Sequence, residues 1–458
     1  MQIVANGKWN YQKLLRFSSA PGKACVASLY LLRLETEDGA LVCNTLTGEL
    51  ALLSPEEKRF LDSLPGEMDP AFSQLASHRF IVPEGCREDE TAGQLRSLLM
   101  KRREAAGAIC HYNILPTTFC NARCFYCFES GIRHVHMSPE TAEELVRFIA
   151  AHCSGQAVRL SWFGGEPMLG RERIDQICGR LKEMRIPYQS EMTSNGYLFD
   201  EALAKHAREQ WNLKKIQITL DGTEDVYNRT KAYPGVRDNP FKRVLRNIRS
   251  LLENGIRVNI RLNLDLHNGK DLAALIGELK ERFGGNPDIN VYIQPLVPEV
   301  GFDPVSHGEE EQAALKLHLQ ELRKMLEKEG WQPFRTEKLP HLKLSSCMAD
   351  DPASVQCTPD GILSKCEDQI FQHTIGSLAD GIVNREELLW WRERVIHAEC
   401  AVCPLYPSCR YLLAHCPVNR GKCPPGEREG MISQYLKNMR TVYRQWKKTG
   451  QKGASEPV

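Results

Sequence analysis

Residues 109–127 read Ile-Cys-His-Tyr-Asn-Ile-Leu-Pro-Thr-Thr-Phe-Cys-Asn-Ala-Arg-Cys-Phe-Tyr-Cys. Ile109 to Leu115 has the apolar character of a buried strand, and directly after it come Cys120, Cys124 and Cys127, spaced C-x3-C-x2-C. The spacing predicts three thiols on one loop at a strand's C-terminal end. Three is the informative number. A structural zinc site takes four closed ligands and a ferredoxin-type cubane takes four thiolates, whereas three thiolates on a four-iron cluster leave one iron open to a reactant. The spacing alone also admits a zinc site completed by a distant His or Cys.

Working outward, five more apolar segments follow: Val158 to Phe163, Tyr188 to Thr193, Lys215 to Leu220, Val258 to Asn263 and Ile289 to Ile293. Amphipathic helices separate them, marked by Leu145, Phe148 and Ile149; by Ile174, Ile177, Leu181 and Met184; by Val244, Ile248 and Leu251; and by Leu272, Leu275, Ile276 and Leu279. Six strands alternating with helices predict an α/β fold with a parallel sheet and right-handed crossovers, as an open sheet or an incomplete barrel. Functional residues then belong at the strands' C-terminal ends. A further helix is expected over Glu311 to Glu329, and another over Ile432 to Trp446 that docks on its own domain.

Residues 1–105 read as a small α+β module. Leu29 to Leu34 and Leu41 to Asn44 flank the turn signal Asp38-Gly39, as in a hairpin. Ser54-Pro55-Glu56-Glu57 carries an N-cap, a proline at the first helical position and a capping-box glutamate. A helix around Phe72 to Ser77 and the apolar segment Phe80-Ile81-Val82 complete a winged-helix-like shape. The whole chain divides into segments 1–105, 106–335, 336–430 and 431–458.

The first ten residues contain no apolar run of signal-peptide length, and no stretch of about 18 apolar residues occurs, so a cytoplasmic location and no membrane partner are expected. In that reducing compartment 17 cysteines point to metal ligation and away from disulfides. With 59 Lys and Arg against 58 Asp and Glu, no bulk positive field exists for a phosphate backbone, and nucleic acid is disfavoured as a partner.

The Cys120, Cys124, Cys127 triad, with Tyr126 before the last cysteine, resembles the cluster motif of the radical S-adenosylmethionine (SAM) superfamily, and later strand ends match in order over roughly residues 106–300. Gly164-Gly165-Glu166-Pro167 resembles the element whose backbone and carboxylate receive the amino group of SAM. Ser194-Asn195 matches the ribose-contacting position, and Arg261 and Asn263 match positions near the SAM carboxylate and ribose. Leu220-Asp221-Gly222 resembles another element facing the active site, or is a plain strand-ending turn; Asn228 and Arg229 reach substrate or form a surface ion pair. The resemblance implies a partial (β/α)6 barrel in which a reduced [4Fe–4S] cluster at the three cysteines passes an electron to the SAM sulfonium. The C–S bond then breaks, giving methionine and a 5′-deoxyadenosyl radical that takes a hydrogen atom from an unreactive C–H bond.

Eight cysteines remain in the C-terminal third: Cys347, Cys357, Cys366, Cys400, Cys403, Cys409, Cys416 and Cys423, the complement for two closed cubanes. Cys347-x13-Gly361-x4-Cys366 followed by Cys400-x2-Cys403-x5-Cys409 resembles the SPASM domain, a cysteine-rich Fe–S domain of peptide-modifying radical SAM enzymes. It departs where a C-x3-C step is expected, because position 413 is Leu and the next cysteine is Cys416. The resemblance implies Cys347, Cys357, Cys366 and Cys416 on one auxiliary cluster and Cys400, Cys403, Cys409 and Cys423 on the other, with Cys357 the ligand that the family pattern does not require. Three [4Fe–4S] clusters, SAM, a flavodoxin- or ferredoxin-type electron donor and a precursor peptide with a leader are thus expected, with thioether or other crosslink formation as the reaction. Two alternatives stand beside it: an anaerobic sulfatase maturase forming formylglycine, and a non-enzymatic zinc-ribbon interaction protein. In the sulfatase maturases an Asp follows the Gly-x4-Cys cysteine, whereas here Glu367 follows Cys366 and Asp368 comes next.

Overall fold

The computed structural model describes residues 1–7, 22–296, 309–331, 339–419, 421–424 and 426–449. They fall into two compact units, Met1–Ala105 with Arg335–Asp351 and Arg392–Val458, and Ala106–Phe334 with Pro352–Trp391. The cysteine-rich C-terminal segment is therefore shared between the two.

The first unit opens with β1 (Gln2–Ala5), β2 (Ala24–Ala27), β3 (Leu31–Thr36), β4 (Gly39–Asn44) and β5 (Leu50–Leu52). Asp38-Gly39 makes the expected hairpin, with Gly39 at φ +131° and β3 paired antiparallel to β4. α1 (Pro55–Asp62) starts with both arms of its capping box closed: Ser54 Oγ accepts the Glu57 N–H, and Glu57 Oε2 accepts the Ser54 N–H at 2.8 Å. Then come β6 (Gly66–Glu67), α2 (Ser73–Ser77), β7 (Ile81–Pro83) and α3 (Glu88–Ala105). The strands form two sheets, ordered β1-β5-β4-β3 and β6-β2-β7.

In the second unit the six expected strands are all present: β8 (His111–Ile114), β9 (Val158–Trp162), β10 (Tyr188–Ser194), β11 (Leu213–Leu220), β12 (Arg257–Leu264) and β13 (Ile289–Pro295). Every neighbouring pair among them is parallel. Between them lie α4 (Pro139–His152), α5 (Arg171–Glu183), α6 (Glu201–Gln210), α7 (Glu224–Lys231), α8 (Pro240–Glu253) and α9 (Gly269–Phe283), with α10 (Glu309–Lys328) after β13. This is a partial parallel barrel. On β11 Ile216, Ile218 and Leu220 are fully buried in the core that α6 and α8 share, each such burial contributing about 1.5–3 kcal/mol. Lys215, Gln217 and Thr219 alternate with them onto the opposite, inner face. That inner face is polar: Ser161 Oγ donates to Glu191 at 3.0 Å, Lys215 pairs with Glu191 at 2.8 Å, and Tyr292 donates to Gln217 at 2.6 Å.

Two expectations need adjustment. Met184 lies just past the end of α5 and is 44% exposed, because the helix closes at Glu183 before that position can turn inward. The sheet also continues beyond six strands: β14 (Ser354–Cys357) runs parallel to β8, and β15 (Ile362–Ser364), β16 (Gly376–Ser377) and β17 (Gly381–Ile382) follow antiparallel, ahead of α11 (Arg385–Trp390).

Back in the first unit, α12 (Ala398–Ala401) precedes α13 (Glu427–Lys448). α13 buries Met439, Tyr443 and Trp446 against Val4, Leu32 and Leu41, so it docks on its own unit as expected. Among the described residues no helix is long and apolar enough to cross a membrane.

Candidate active site at the strand ends

Past β8 the chain forms the loop that carries Cys120, Cys124 and Cys127, all half-buried free thiols. Burial pushes the Cys120 thiol up to about 12 and raises that of Cys127, while the N–H groups of Ala122 and Glu129, each two residues on, point at the sulfurs and oppose the rise. The Ala122 N–H lies 3.4 Å from Cys120 Sγ. Ala349 on Cys347 and Tyr411 on Cys409 repeat the arrangement at 3.3 and 3.4 Å. Backbone N–H groups directed at sulfur favour thiolate and tune a bound iron–sulfur cluster, and a cationic group is what converts buried thiols to thiolates. The donor set therefore suits a cluster.

Gly164 and Gly165 press the next turn against this loop. A Cβ on Gly164, which sits at φ +86°, would meet Thr117 O at 2.5 Å, and one on Gly165 would meet Phe119 O at 2.1 Å. Glu166 is fully buried and its carboxylate accepts the Asn195 N–H at 2.8 Å, the Ser194 hydroxyl at 2.9 Å and the Met168 N–H at 3.1 Å. With about four acceptor positions on a carboxylate, roughly one remains for a further donor. Pro167 is buried and begins a 3-10 turn over Pro167–Gly170. Asn195 returns to the cysteine loop through Nδ2, which donates to Asn121 Oδ1 at 2.7 Å.

A second network joins the same loop to β11 and β12. Tyr126 donates to Asp221 at 2.8 Å, Asn263 Nδ2 donates to Asp221 Oδ1 at 2.9 Å, and Arg261 Nε donates to Asn263 Oδ1 at 2.8 Å. Cys120, Cys124, Cys127, Tyr126, Gly164–Pro167, Ser194, Asn195, Arg261 and Asn263 thus stand together at the C-terminal ends of the parallel strands. Sequence reasoning passed over two members, Asn121 and the buried Lys231. Asn121 sat inside the quoted motif; Lys231, closing an ordinary amphipathic helix, carried no signal. Asn228 is structural, since its Oδ1 accepts the Phe241 N–H at 3.0 Å, and Arg229 is exposed.

The remaining cysteines divide by unit. In the first, Cys347 and Cys416 lie within electrostatic reach of one another, and Cys423 lies within reach of Cys400, Cys403 and Cys409. In the second, Cys366 precedes Glu367 and Asp368, both of which feel the Arg261 guanidinium on β12. Cys357 is on β14, fully buried in the barrel's apolar core, with its thiol directed at Thr358 O at 3.5 Å.

The profile described as the Radical SAM superfamily matches residues 114–279, from the end of β8 into α9. Fe-coproporphyrin III synthase of Methanosarcina barkeri is 26% identical over 168 residues, 36% of this chain and 39% of that protein. Radical SAM cyclopropyl synthase TigE of Paramaledivibacter caminithermalis is 22% identical over 206 residues, 41% of this chain and 42% of that protein. The chain thus spans about two fifths of the length of these curated relatives. Among solved structures, native anSMEcpe with bound AdoMet is similar with a TM-score of 0.57 at 15% identity, covering 73% of this chain and 99% of that one. Streptococcus suis SuiB bound to precursor peptide SuiA gives 0.51 at 13% identity, covering 87% and 99%. At those identities the likeness is one of fold. Because the profile match, the three-thiol loop and the strand-end network fall on the same residues, the chain carries a radical SAM superfamily domain over residues 114–279.

Proposed function

We propose that the protein is a radical SAM enzyme that modifies a peptide, seating one [4Fe–4S] cluster on Cys120, Cys124 and Cys127 and SAM against Tyr126, Gly164–Pro167, Ser194, Asn195, Arg261 and Asn263. The carrying observation is the convergence of the cysteine loop and these residues at one end of the sheet. When bound, the cluster and SAM supply one-electron cleavage of the sulfonium and removal of a hydrogen atom from a C–H bond. The chain's own part is placement. Gly164 and Gly165 let the turn approach the loop, Glu166 offers its remaining acceptor to an ammonium group, and Arg261 offers a guanidinium to a carboxylate.

Two further cysteine sets are assigned to auxiliary clusters, Cys400, Cys403, Cys409 and Cys423 to one and Cys347, Cys357, Cys366 and Cys416 to the other. The mutual reach of the first four thiols and of Cys347 with Cys416 supports this division. The core setting of Cys357 makes it the ligand that most needs testing. In functional terms segment 1–105 grips a leader by strand addition, 106–335 does the chemistry, 336–430 holds the auxiliary clusters and 431–458 supports the first, while the compact units cut across the third segment.

A peptide substrate is favoured over the tetrapyrrole in the Methanosarcina relative's name by the polar inner face of Ser161, Glu191, Lys215 and Gln217, which offers hydrogen-bond partners to amides. The description of SuiB bound to a precursor peptide points the same way. The expected product is a crosslink, with a thioether as the leading form, made in the cytoplasm with electrons from a flavodoxin or ferredoxin. Replacing Cys120, Cys124 and Cys127 by Ala should abolish dithionite-driven SAM cleavage while leaving about two thirds of the iron of the anaerobically reconstituted wild type. A wild type holding only about four irons per chain refutes the auxiliary clusters, and SAM cleavage by the triple variant refutes the site.

A further inference from the structure

Lys231 closes α7 in surroundings that a lysine seldom occupies. Its side chain and that of Asp221 are only 4% and 2% exposed, and Nζ lies 3.0 Å from the carboxylate. Nζ also donates to the Tyr126 hydroxyl at 2.9 Å, and Tyr126 in turn donates to Asp221. One more bond is made by the backbone: the Arg123 N–H donates to the Lys231 carbonyl at 2.8 Å. α7 therefore holds the cysteine loop at Arg123 and at Tyr126, the positions on either side of Cys124 and Phe125. Asp221 is fixed by Asn263 on β12, which donates to its carboxylate, and by Asn268 at the start of α9, which donates to its carbonyl.

A buried ion pair is a poor way to gain stability, since desolvation costs several kcal/mol per ion and apolar replacements are often as stable or more so. Its placement suggests another use. Lys231 and Tyr126 both lie within electrostatic reach of the Cys124 thiol. In a dry interior, charges at such range act far more strongly than in water. A nearby cation favours the more negative, reduced form of a redox group, and a nearby anion opposes it.

We propose that Lys231 and Asp221 are a balanced charge pair that positions the Cys120–Cys127 loop through Tyr126 and, each offsetting the other, keeps either charge alone from displacing how readily the cluster on that loop accepts one electron from an external low-potential donor. The donor loses the electron and the cluster gains it; no bond forms or breaks. This rests on reading the loop as a cluster seat.

The test uses the full-length chain, reconstituted anaerobically and titrated with dithionite, following the electron paramagnetic resonance signal that changes on SAM addition. Asp221→Asn, which leaves the cation unopposed, should move the midpoint potential upward. Lys231→Met should move it downward, and the double variant should return close to the wild type with its iron retained. Lys231→Arg, which keeps the charge, should also hold near the wild-type potential. Shifts of the same sign in both single variants, or none, would overturn the inference, as would equal iron loss in Lys231→Arg and the double variant, which marks a packing role alone. A wild type with no SAM-responsive signal overturns the cluster reading and this inference with it.

Discussion

The tightest approach in the site is at Gly165, where a methyl group would stand 2.1 Å from a backbone oxygen that has nowhere to move. Gly165→Ala should therefore lower stability by about 1–3 kcal/mol and loosen the cysteine loop. Gly179, on α5 with nothing within 4 Å of its missing Cβ, is the internal comparison. There the same change should raise stability by about 0.5–1 kcal/mol, because only the backbone entropy of glycine is removed. Urea midpoints of the two variants check this, and a Gly165→Ala midpoint at or above wild type would contradict it. At this scale the cysteines and the Gly-Gly-Glu-Pro turn could be read from the chain because their chemistry is carried by residue type and spacing. Lys231 could not, because a lysine at a helix end normally reaches solvent, and only the fold reveals that this one turns inward to Asp221.

Elements were legible wherever a long apolar period existed. All six barrel strands fall where the apolar segments placed them, within one or two residues, and the four marked helices are α4, α5, α8 and α9, whereas α6 and α7 were not anticipated. β14 was hidden: Ser-Val-Gln-Cys is four residues long, lies among cysteines that invited a metal reading, and acquires strand character only from pairing with β8. α3 shows how one side chain can anchor an element. Its first residue, Glu88, is buried and accepts from Ser28 Oγ and the Leu29 N–H, both at 2.7 Å. Burial nonetheless raises its carboxyl above the usual range. A carboxyl whose folded value is raised contributes stability that is fully present below the unfolded value of about 4.3 and is lost as pH rises through the folded value. The stability of wild type relative to Glu88→Gln should then decline as pH rises above the unfolded value of about 4.3. Urea titrations across that value measure it, and a constant difference would refute the assignment.

For the molecule as a whole, the sequence reads residues 1–105 as a self-contained module. The structure argues otherwise. Leu32, Leu41 and Leu50 share a core with Met439, Tyr443 and Trp446, while Tyr30 and Leu46 share another with Leu342, Tyr406 and Leu412. Arg96 on α3 also donates to the Lys343 carbonyl at 2.9 Å and the Pro407 carbonyl at 3.1 Å. Such interleaving is invisible to local pattern, because each partner looks like an ordinary amphipathic segment until the fold closes. Deleting residues 1–105 should leave α13 with a bare apolar face and yield an aggregated, dye-binding chain in size-exclusion and fluorescence assays. A monodisperse truncated protein with a sharp melting transition would contradict this.

The parallel pairing of β8 with β14 also has a consequence for biosynthesis. β8 ends at Ile114, yet the strand that covers its outer edge begins only at Ser354. At about 5–20 residues per second, a ribosome needs on the order of tens of seconds to make the intervening chain. Through that interval the nascent sheet presents an uncovered edge, the kind of template on which unfinished chains associate. Yield in a foreign host is thus governed by how well that edge is shielded during elongation, so slower growth and more abundant nascent-chain chaperones should matter more than any change to the finished surface.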